Sequence, residues 1–327
     1  MGKPIVQYEA GQTAYPLEAM TNSGDNTTFE ASFSPWSDVA GKEPVIRPNG
    51  LLTGGAITPR TGTSQEDEVS VAALTAWIAG LEVSTGPTTV VAARGASSNT
   101  HMITSVVVLA NGTIDKQAGT AHTEFSEVRG DPGGPPAILA GSIEIGQIRL
   151  TSVDSAFVAA AEIFTVPGTH VELASYPVFA SDFGLGTVTF SEALPTIHAA
   201  GATKLIYVSG SVPSFAALAN VADWVPSETT YSVSSEDTYD GPIGAASSSL
   251  GQASFTALGL KDGITDPVVV QKGTRLWFRF RPDRDKSAPY QLTQGILGVS
   301  RTFPASGGSF SASCTITSEK ESLDVAS

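Results

Sequence analysis

The chain has 327 residues, of which 41% are hydrophobic and only 15% are charged, and its formal net charge is −14. The small number of Lys and Arg residues excludes a protein that holds nucleic acid by neutralising phosphates, because such binding depends on basic side chains. The sequence is rich in Gly, Ser and Thr. This composition indicates many short strands joined by tight turns, and we expect a mainly β protein rather than a helical bundle.

Residues 1–63 are rich in Gly, Pro, Thr and Asn and show weak periodicity. They predict an extended N-terminal arm that contains one or two short strands. A long segment of this kind is difficult to accommodate in a compact monomer, whereas in an oligomer it can lie across a neighbouring subunit. The N-terminal sequence predicts no secretion signal, and no apolar run has the length of a membrane span.

Residues 64–82 are predicted to form the main α-helix. Ser64 and Asp67 resemble a capping box, and the first turn is acidic, as the helix dipole favours. The apolar residues that follow recur at helical spacing, and they are Leu74, Trp77, Ile78 and Leu81. We expect this helix to pack against the core.

Residues 83–170 predict a β-rich domain, or an insertion in a larger β domain, and the sequence leaves both possibilities open. Asn111-Gly112 lies between two strand signals and predicts a hairpin, because both turn positions tolerate positive φ. Gly146 interrupts the alternation of a later strand, which indicates a β-bulge. The Gly- and Pro-rich run at 129–136 predicts a loop.

Residues 171–318 predict a second β unit, in which 215–224 forms a short helix, and residues 319–327 predict a loose C-terminal tail. Three strand signals close this unit. They alternate between an apolar face and a face of Ser, Thr and basic residues, which is the pattern of a sheet with one buried side. The residues that define these strands are Leu276, Trp277, Phe278, Phe280, Gly295, Leu297, Val299, Phe303, Phe310, Ala312, Cys314 and Ile316.

Cys314 is the only cysteine, so the chain forms no internal disulfide. Its inward position in a strand predicts a small core residue in a protein made in a reducing compartment. The sequence contains no G-x-S-x-G elbow, no phosphate-binding loop and no dinucleotide fingerprint. We therefore predict no catalytic residues, no cofactor and no enzymatic activity.

The chain has four histidines, and their scattered positions predict no metal site. They are His101, His122, His170 and His198. Pairs of acidic residues leave open a carbohydrate-active β-sandwich, because glycosidases act through two carboxylates. The candidate pairs are Glu124 with Glu127, Asp237 with Asp240, and Asp283 with Asp285.

Three segments near the C-terminus resemble the closing strands of the major tail tube proteins of long-tailed bacteriophages, and the similarity is closest to siphophages of the Chi type. Residues 276–283 contain the sequence Trp-Phe-Arg-Phe, followed by a short acidic turn. Residues 290–303 end in Gly-Ile-Leu-Gly-Val-Ser-Arg-Thr-Phe, and residues 307–318 join a Gly-Gly link to an alternating Ser/Thr strand. The resemblance covers residues 171–318.

This resemblance implies a β-sandwich of the tail-tube type at residues 171–318. It also implies subunits that form stacked, hexameric rings and a hollow tube with an acidic lumen for DNA ejection. The implied partners are further copies of the chain and the tail terminator, tape measure and tail-tip proteins, and DNA passes through without specific binding. The implied location is the virion tail, assembled in the bacterial cytoplasm without contact with a membrane.

Other virion roles fit the same β content, and a decoration protein or a tail-tip protein is the main alternative. A carbohydrate-binding β-sandwich is a further one. The Ser/Thr face of residues 309–317 suits either the bore of a tube or its exterior. Ring size, the acids that line the lumen and the contacts between rings do not follow from the sequence.

Overall fold

The computed structural model describes residues 2–165, 176–194, 196, 206–238 and 241–326, with the side chains of 236–243 excepted. These residues confirm a mainly β protein, because strands dominate and the helical segments are a four-residue α-helix at Pro267–Val270 and a 3₁₀ turn at Ala160–Glu162. The strands are, in chain order, β1 (Ile5–Ala19), β2 (Thr21–Asn22), β3 (Thr28–Glu30), β4 (Val45–Pro48), β5 (Gly50–Gly54), β6 (Ile57–Pro59), β7 (Glu68–Val71), β8 (Leu74–Ile78), β9 (Leu81–Thr85), β10 (Thr88–Val91), β11 (His101–Val108), β12 (Ile114–Ala118), β13 (Ile143–Thr151), β14 (Ile163–Phe164), β15 (Phe179–Asp182), β16 (Thr187–Phe190), β17 (Ile206–Ala217), β18 (Val221–Val225), β19 (Thr229–Thr238), β20 (Gly241–Leu250), β21 (Ala253–Leu260), β22 (Arg275–Arg281), β23 (Tyr290–Thr302), β24 (Phe310–Ser318) and β25 (Leu323–Val325).

The chain divides into two compact units. The first combines Met1–Thr13 with Val212–Ser327, and the second is the continuous stretch Ala14–Ser211. The chain therefore passes from one unit to the other twice, within β1 and within β17. Neither crossing coincides with the boundary at residue 171 that the sequence predicts.

The first unit is built on an antiparallel sheet in the order β18, β21, β24, β23, β22 and β1, and β25 also pairs with β23. Alternating apolar residues of these strands point to one side and form a single cluster with the short helix. The largest buried members of this cluster are Phe255 and Phe278. The apolar cluster explains why this alternating sequence folds as a sheet with one buried face.

The second unit contains several small antiparallel sheets, in the orders β5-β8-β9, β10-β7-β6, β12-β11-β13-β14 and β15-β16-β3-β2. Strands of the first three sheets share one aliphatic core, whose members include Val71, Ile78, Val106, Ile148 and Leu150. β-branched side chains dominate this core, as expected for strands packed face to face.

The predicted helix at 64–82 is wrong, because this segment forms β7, β8 and β9. Leu74, Ala76 and Ile78 are buried at a spacing of two, so the apolar residues fit a strand as well as a helix. Asp67 does not cap a helix, since its φ is +63° and its carboxylate pairs with Arg94. The sheet contacts of β8 with β5 and β9 decide between the two patterns.

Three further predictions are also corrected by strand pairing. The N-terminal segment is no extended arm over Ile5–Ala19, because β1 pairs with β22 and buries Val6. The predicted helix at 215–224 is the end of β17 followed by β18, and the predicted loose tail contains β25, which pairs with β23. In each case, backbone hydrogen bonds with distant strands order a segment whose local pattern is weak.

Several local predictions are confirmed. Asn111-Gly112 lies in the turn between β11 and β12, and Gly112 has a φ of +84°. The pairing of β11 with β13 shifts register beside Gly146, which is the predicted bulge. The three closing strands exist as β22, β23 and β24, although β23 is longer than expected.

Candidate assembly surface

The outward side of β21, β24 and β23 is a surface of hydroxyl side chains. Strand register places Ser254 beside Thr315, Ser313 between Thr256 and Ser300, and Ser311 beside Thr302. Together with Thr317, these side chains are exposed or half-buried, and we call the set the hydroxyl face. Where these three strands pair, their other outward residues are Leu258, Ile296 and Gly298, so the face carries no charge.

The inward side of the same strands is apolar. Ala312, Cys314 and Ile316 of β24 are buried, and they alternate with the exposed Ser313, Thr315 and Thr317. Burial raises the pKa of the Cys314 thiol to about 12, because the thiolate is poorly solvated in this environment. The thiol is therefore protonated at neutral pH and is not a candidate nucleophile.

The structure brings most of the residues that define the closing strands into one core. Those that are buried are Leu276, Trp277, Phe278, Gly295, Leu297, Val299, Ala312, Cys314 and Ile316. Phe280 and Phe310 are half-buried, whereas Phe303 is 51% exposed and makes an edge contact with Phe310 at 5.4 Å between ring centroids. Phe303 follows the end of β23, so it does not share the buried side of Leu297 and Val299 that the alternation predicts.

Trp277 is also buried, although its position in β22 alternates away from Phe278. Its backbone N–H donates to the carboxylate of Glu9 at 3.0 Å. The neighbouring Arg279 donates to Gln7 at 2.9 Å and lies 4.3 Å from the ring centre of Phe215. The outward Trp277 and Arg279 of β22 are thus covered, whereas Arg275 is exposed beside Ile296 and pairs with Glu319 at 3.5 Å. The hydroxyl face ends at β23.

A long hairpin, β19–β20, forms a separate two-stranded sheet in the first unit. All ten residue pairs are in register, and no third strand in the described part of the chain pairs with it. Tyr231 and Val233 lie on one side and are 81% and 78% exposed. On the other side, Ser232 and Ser247 are joined by a hydroxyl hydrogen bond of 2.7 Å.

Two of the acidic residues that the sequence singles out, Glu127 and Asp283, accept hydrogen bonds within the structure. Glu127 accepts a hydrogen bond of 2.9 Å from Arg149, and this interaction lowers the pKa of Glu127. Asp283 accepts hydrogen bonds from the backbone N–H groups of Gly2 and Asp285, which lower the pKa of its carboxyl group. Both carboxylates thus act as structural acceptors, and the side chains of Asp237 and Asp240 lie outside the described residues.

A buried polar layer covers the outward side of β11 and β13 in the second unit. Glu144 is fully buried and accepts hydrogen bonds from Ser105 at 2.5 Å and from Arg129 at 2.5 Å. Arg129 also donates to the carbonyl oxygen of Pro136 at 2.5 Å. Residues 119–142, which we call the cover loop, are therefore fixed to the sheet by a paired charge that the sequence alone did not reveal.

The histidines are less scattered than the sequence suggests. His101 and His122 face each other in an isolated antiparallel bridge, with reciprocal backbone hydrogen bonds of 2.6 and 3.0 Å. His170 and His198 lie outside the described residues. Within the described ranges, no group of three or more His, Cys, Asp or Glu side chains is arranged to hold a metal ion.

None of the helices in the described ranges has the length and apolar content that a membrane span requires. Comparisons with known proteins found no match, either to a protein-family model or to a curated protein.

Proposed function

We propose that this chain is a non-enzymatic structural subunit of a bacteriophage tail tube, which polymerises as stacked hexameric rings into a conduit for DNA ejection. The observation that carries the proposal is the exposed β19–β20 hairpin. The charge of the chain, the hydroxyl face and the resemblance of residues 276–318 to tail tube proteins support it.

The hairpin favours an assembling protein because an isolated two-stranded sheet is marginally stable in water. Tyr231 and Val233 leave most of their surface in solvent, and the described residues provide no cover for them. With ten residues per strand, the hairpin is about 34 Å long, which is sufficient to reach over a neighbouring subunit. Packing against another copy would bury the apolar side and complete the pairing of its open edges.

The hydroxyl face suits a wall along which DNA moves. A cationic side chain would hold phosphates, and none lies among the outward positions of β21, β24 and β23 that form this face. Hydroxyl groups remain hydrated and offer no fixed charge. We place this face toward the bore of the tube.

The net charge of −14 supports the same role. Carboxylates close to the bore would repel DNA along the whole tube and so prevent adhesion. Electrostatic interactions are screened over roughly 10 Å at ordinary ionic strength, so only acids near the bore contribute to this repulsion.

Electron microscopy of the purified chain tests the proposal directly. We expect rings or tubes of the wild-type chain in negative stain as its concentration rises. The double variant Tyr231→Ser/Val233→Ser should remain folded by circular dichroism and fail to form tubes. Leu139→Ser is the matched control, because Leu139 is an exposed apolar residue of the cover loop.

Wild-type chains that remain monomeric at high concentration would contradict assembly. Antibody labelling of intact virions separates the tube from the alternative virion roles. Label along the whole tail supports the proposal, whereas label confined to the tail tip or the capsid would favour a tip or decoration protein.

A further inference from the structure

We infer that His101 and His122 form a binding site for a divalent late first-row transition metal ion such as Zn²⁺, Ni²⁺ or Cu²⁺. The two residues are far apart in the sequence, and the turn-rich segment after β12 brings them together. This site is independent of the proposed assembly and lies in the second unit.

The backbone fixes the two imidazoles on the same side of the bridge. Each residue donates its N–H to the carbonyl oxygen of the other, at 2.6 and 3.0 Å. Residues paired in this way lie directly opposite each other, about 5.5 Å apart at Cα, and their side chains leave the sheet in the same direction. Two imidazoles at this separation can chelate one ion.

The environment of His101 supplies a second observation that points to a ligand. Its Nδ1 atom is buried and has no hydrogen-bond partner. A buried polar atom without a partner destabilises the folded chain, and a bound cation would remove this penalty. The ring of Phe125 lies 4.4 Å from the ring of His101, centroid to centroid, and limits the rotation of the imidazole.

The ligand chemistry selects the class of ion. Neutral imidazole nitrogen suits zinc, copper and nickel, whereas magnesium and calcium prefer oxygen ligands. His122 is exposed, so water can occupy the remaining coordination positions. A site with two protein ligands is an open and exchangeable one, in contrast to a closed structural zinc site with four.

Binding would connect two parts of the second unit. His101 begins β11, and His122 lies near the start of the cover loop. The Arg129–Glu144 pair fixes this loop farther along the chain. A metal ion would therefore join the side chains of two segments that the backbone bridge already holds together, and so strengthen the attachment at the start of the loop.

Calorimetric titration of the full chain without an affinity tag, using ZnCl₂ and separately NiCl₂, tests this inference. We expect one saturable site per chain. His122→Ala should weaken binding by about tenfold or more, since it removes one of two ligands. Because His122 is exposed, this variant should fold normally, and His101→Ala provides a second test. In Cu²⁺ electron paramagnetic resonance, the nitrogen hyperfine pattern should simplify in His122→Ala.

The matched controls are His170→Ala and His198→Ala, which remove the other two histidines and should bind as the wild type does. The inference is overturned if the wild-type chain shows no saturable binding. It is equally overturned if His122→Ala binds as tightly as the wild type, or if either control abolishes binding.

Discussion

The sheet of the first unit that contains β21, β24, β23 and β22, which we call the closing sheet, differs from the β11–β13 sheet of the second unit in what covers its outward side. Both sheets bury an apolar side in a core. In the sheet of the first unit, the other side of β21, β24 and β23 carries uncharged hydroxyl groups and is left open. In the β11–β13 sheet, it carries the fully buried Glu144 and is closed by the cover loop through Arg129.

The difference shows what each kind of polar residue is suited to do. A buried carboxylate requires a partner, so Glu144 specifies where the cover loop must lie. Hydroxyl groups can donate hydrogen bonds to water or to each other and accept them as well. They therefore do not require a covering segment of the chain, and the surface stays smooth. The buried charge of Glu144 thus holds the cover loop against the β11–β13 sheet, whereas the uncharged hydroxyl face holds no covering segment.

The largest effect is expected from removal of the buried charge. Glu144→Ala leaves Arg129 without its ion pair and should lower the free energy of unfolding by about 3–5 kcal/mol. Urea unfolding followed by fluorescence measures this change. Glu127→Ala is the control: the Glu127 side chain is 75% exposed, and loss of its pair with Arg149 should cost at most about 1 kcal/mol. Equal effects of the two variants would contradict the contrast between a buried and an exposed pair.

An intermediate effect is expected on the inward side of β24. Cys314→Ser places a hydroxyl group among apolar neighbours and should lower the free energy of unfolding by about 1–3 kcal/mol. Thr315→Ser, one residue farther along on the hydroxyl face, should have almost no effect.

The native Cys314 thiol should also resist alkylation at pH 8 and react in denaturant, because its pKa is raised to about 12. Rapid alkylation of the folded chain would show that this side is open.

The smallest effect on stability is expected on the hydroxyl face. Ser313→Lys/Thr315→Lys should change the free energy of unfolding by no more than about 0.5 kcal/mol, because both side chains are exposed. If the face lines the bore, tubes of this variant assembled with short duplex DNA should retain DNA that is protected from nuclease.

Wild-type tubes and tubes of Ser97→Lys/Ser98→Lys, which adds the same charge at exposed positions between β10 and β11, should retain none. Tubes of the hydroxyl-face variant that hold only nuclease-sensitive DNA would place this face on the exterior.

The sequence predicted the closing sheet well because its alternation is long and each strand has one apolar side. Cys314 and Thr315 took the predicted inward and outward positions. The segment at 64–82 was predicted wrongly because Leu74 and Ile78 fit both the helical and the strand period. Partners in β5 and β9 decide the outcome, and a local pattern carries no information about such partners.

The Arg129–Glu144 pair and the His101–His122 bridge of the second unit could not be predicted from the sequence, because each joins residues that are distant along the chain. Glu144 lies in an apolar strand and is separated from Arg129 by a loop of Gly and Pro, so no spacing rule connects them. The same holds for His101 and His122, which meet only because the chain turns after β12. Pairings of this kind depend on the path of the backbone, which short motifs do not encode.

The double crossing of the chain has a consequence for its synthesis on the ribosome. The second unit is continuous and can fold as soon as residue 211 has emerged, whereas Val6 must wait for its partner Phe280. At ordinary translation rates this wait is on the order of ten seconds or more. Until β22 emerges, β1 can pair with β17 on one edge only, so its other edge is open and on crowded ribosomes can reach the β22 strand of another nascent chain. We expect exchanged dimers to be the characteristic misfolded product of overexpression.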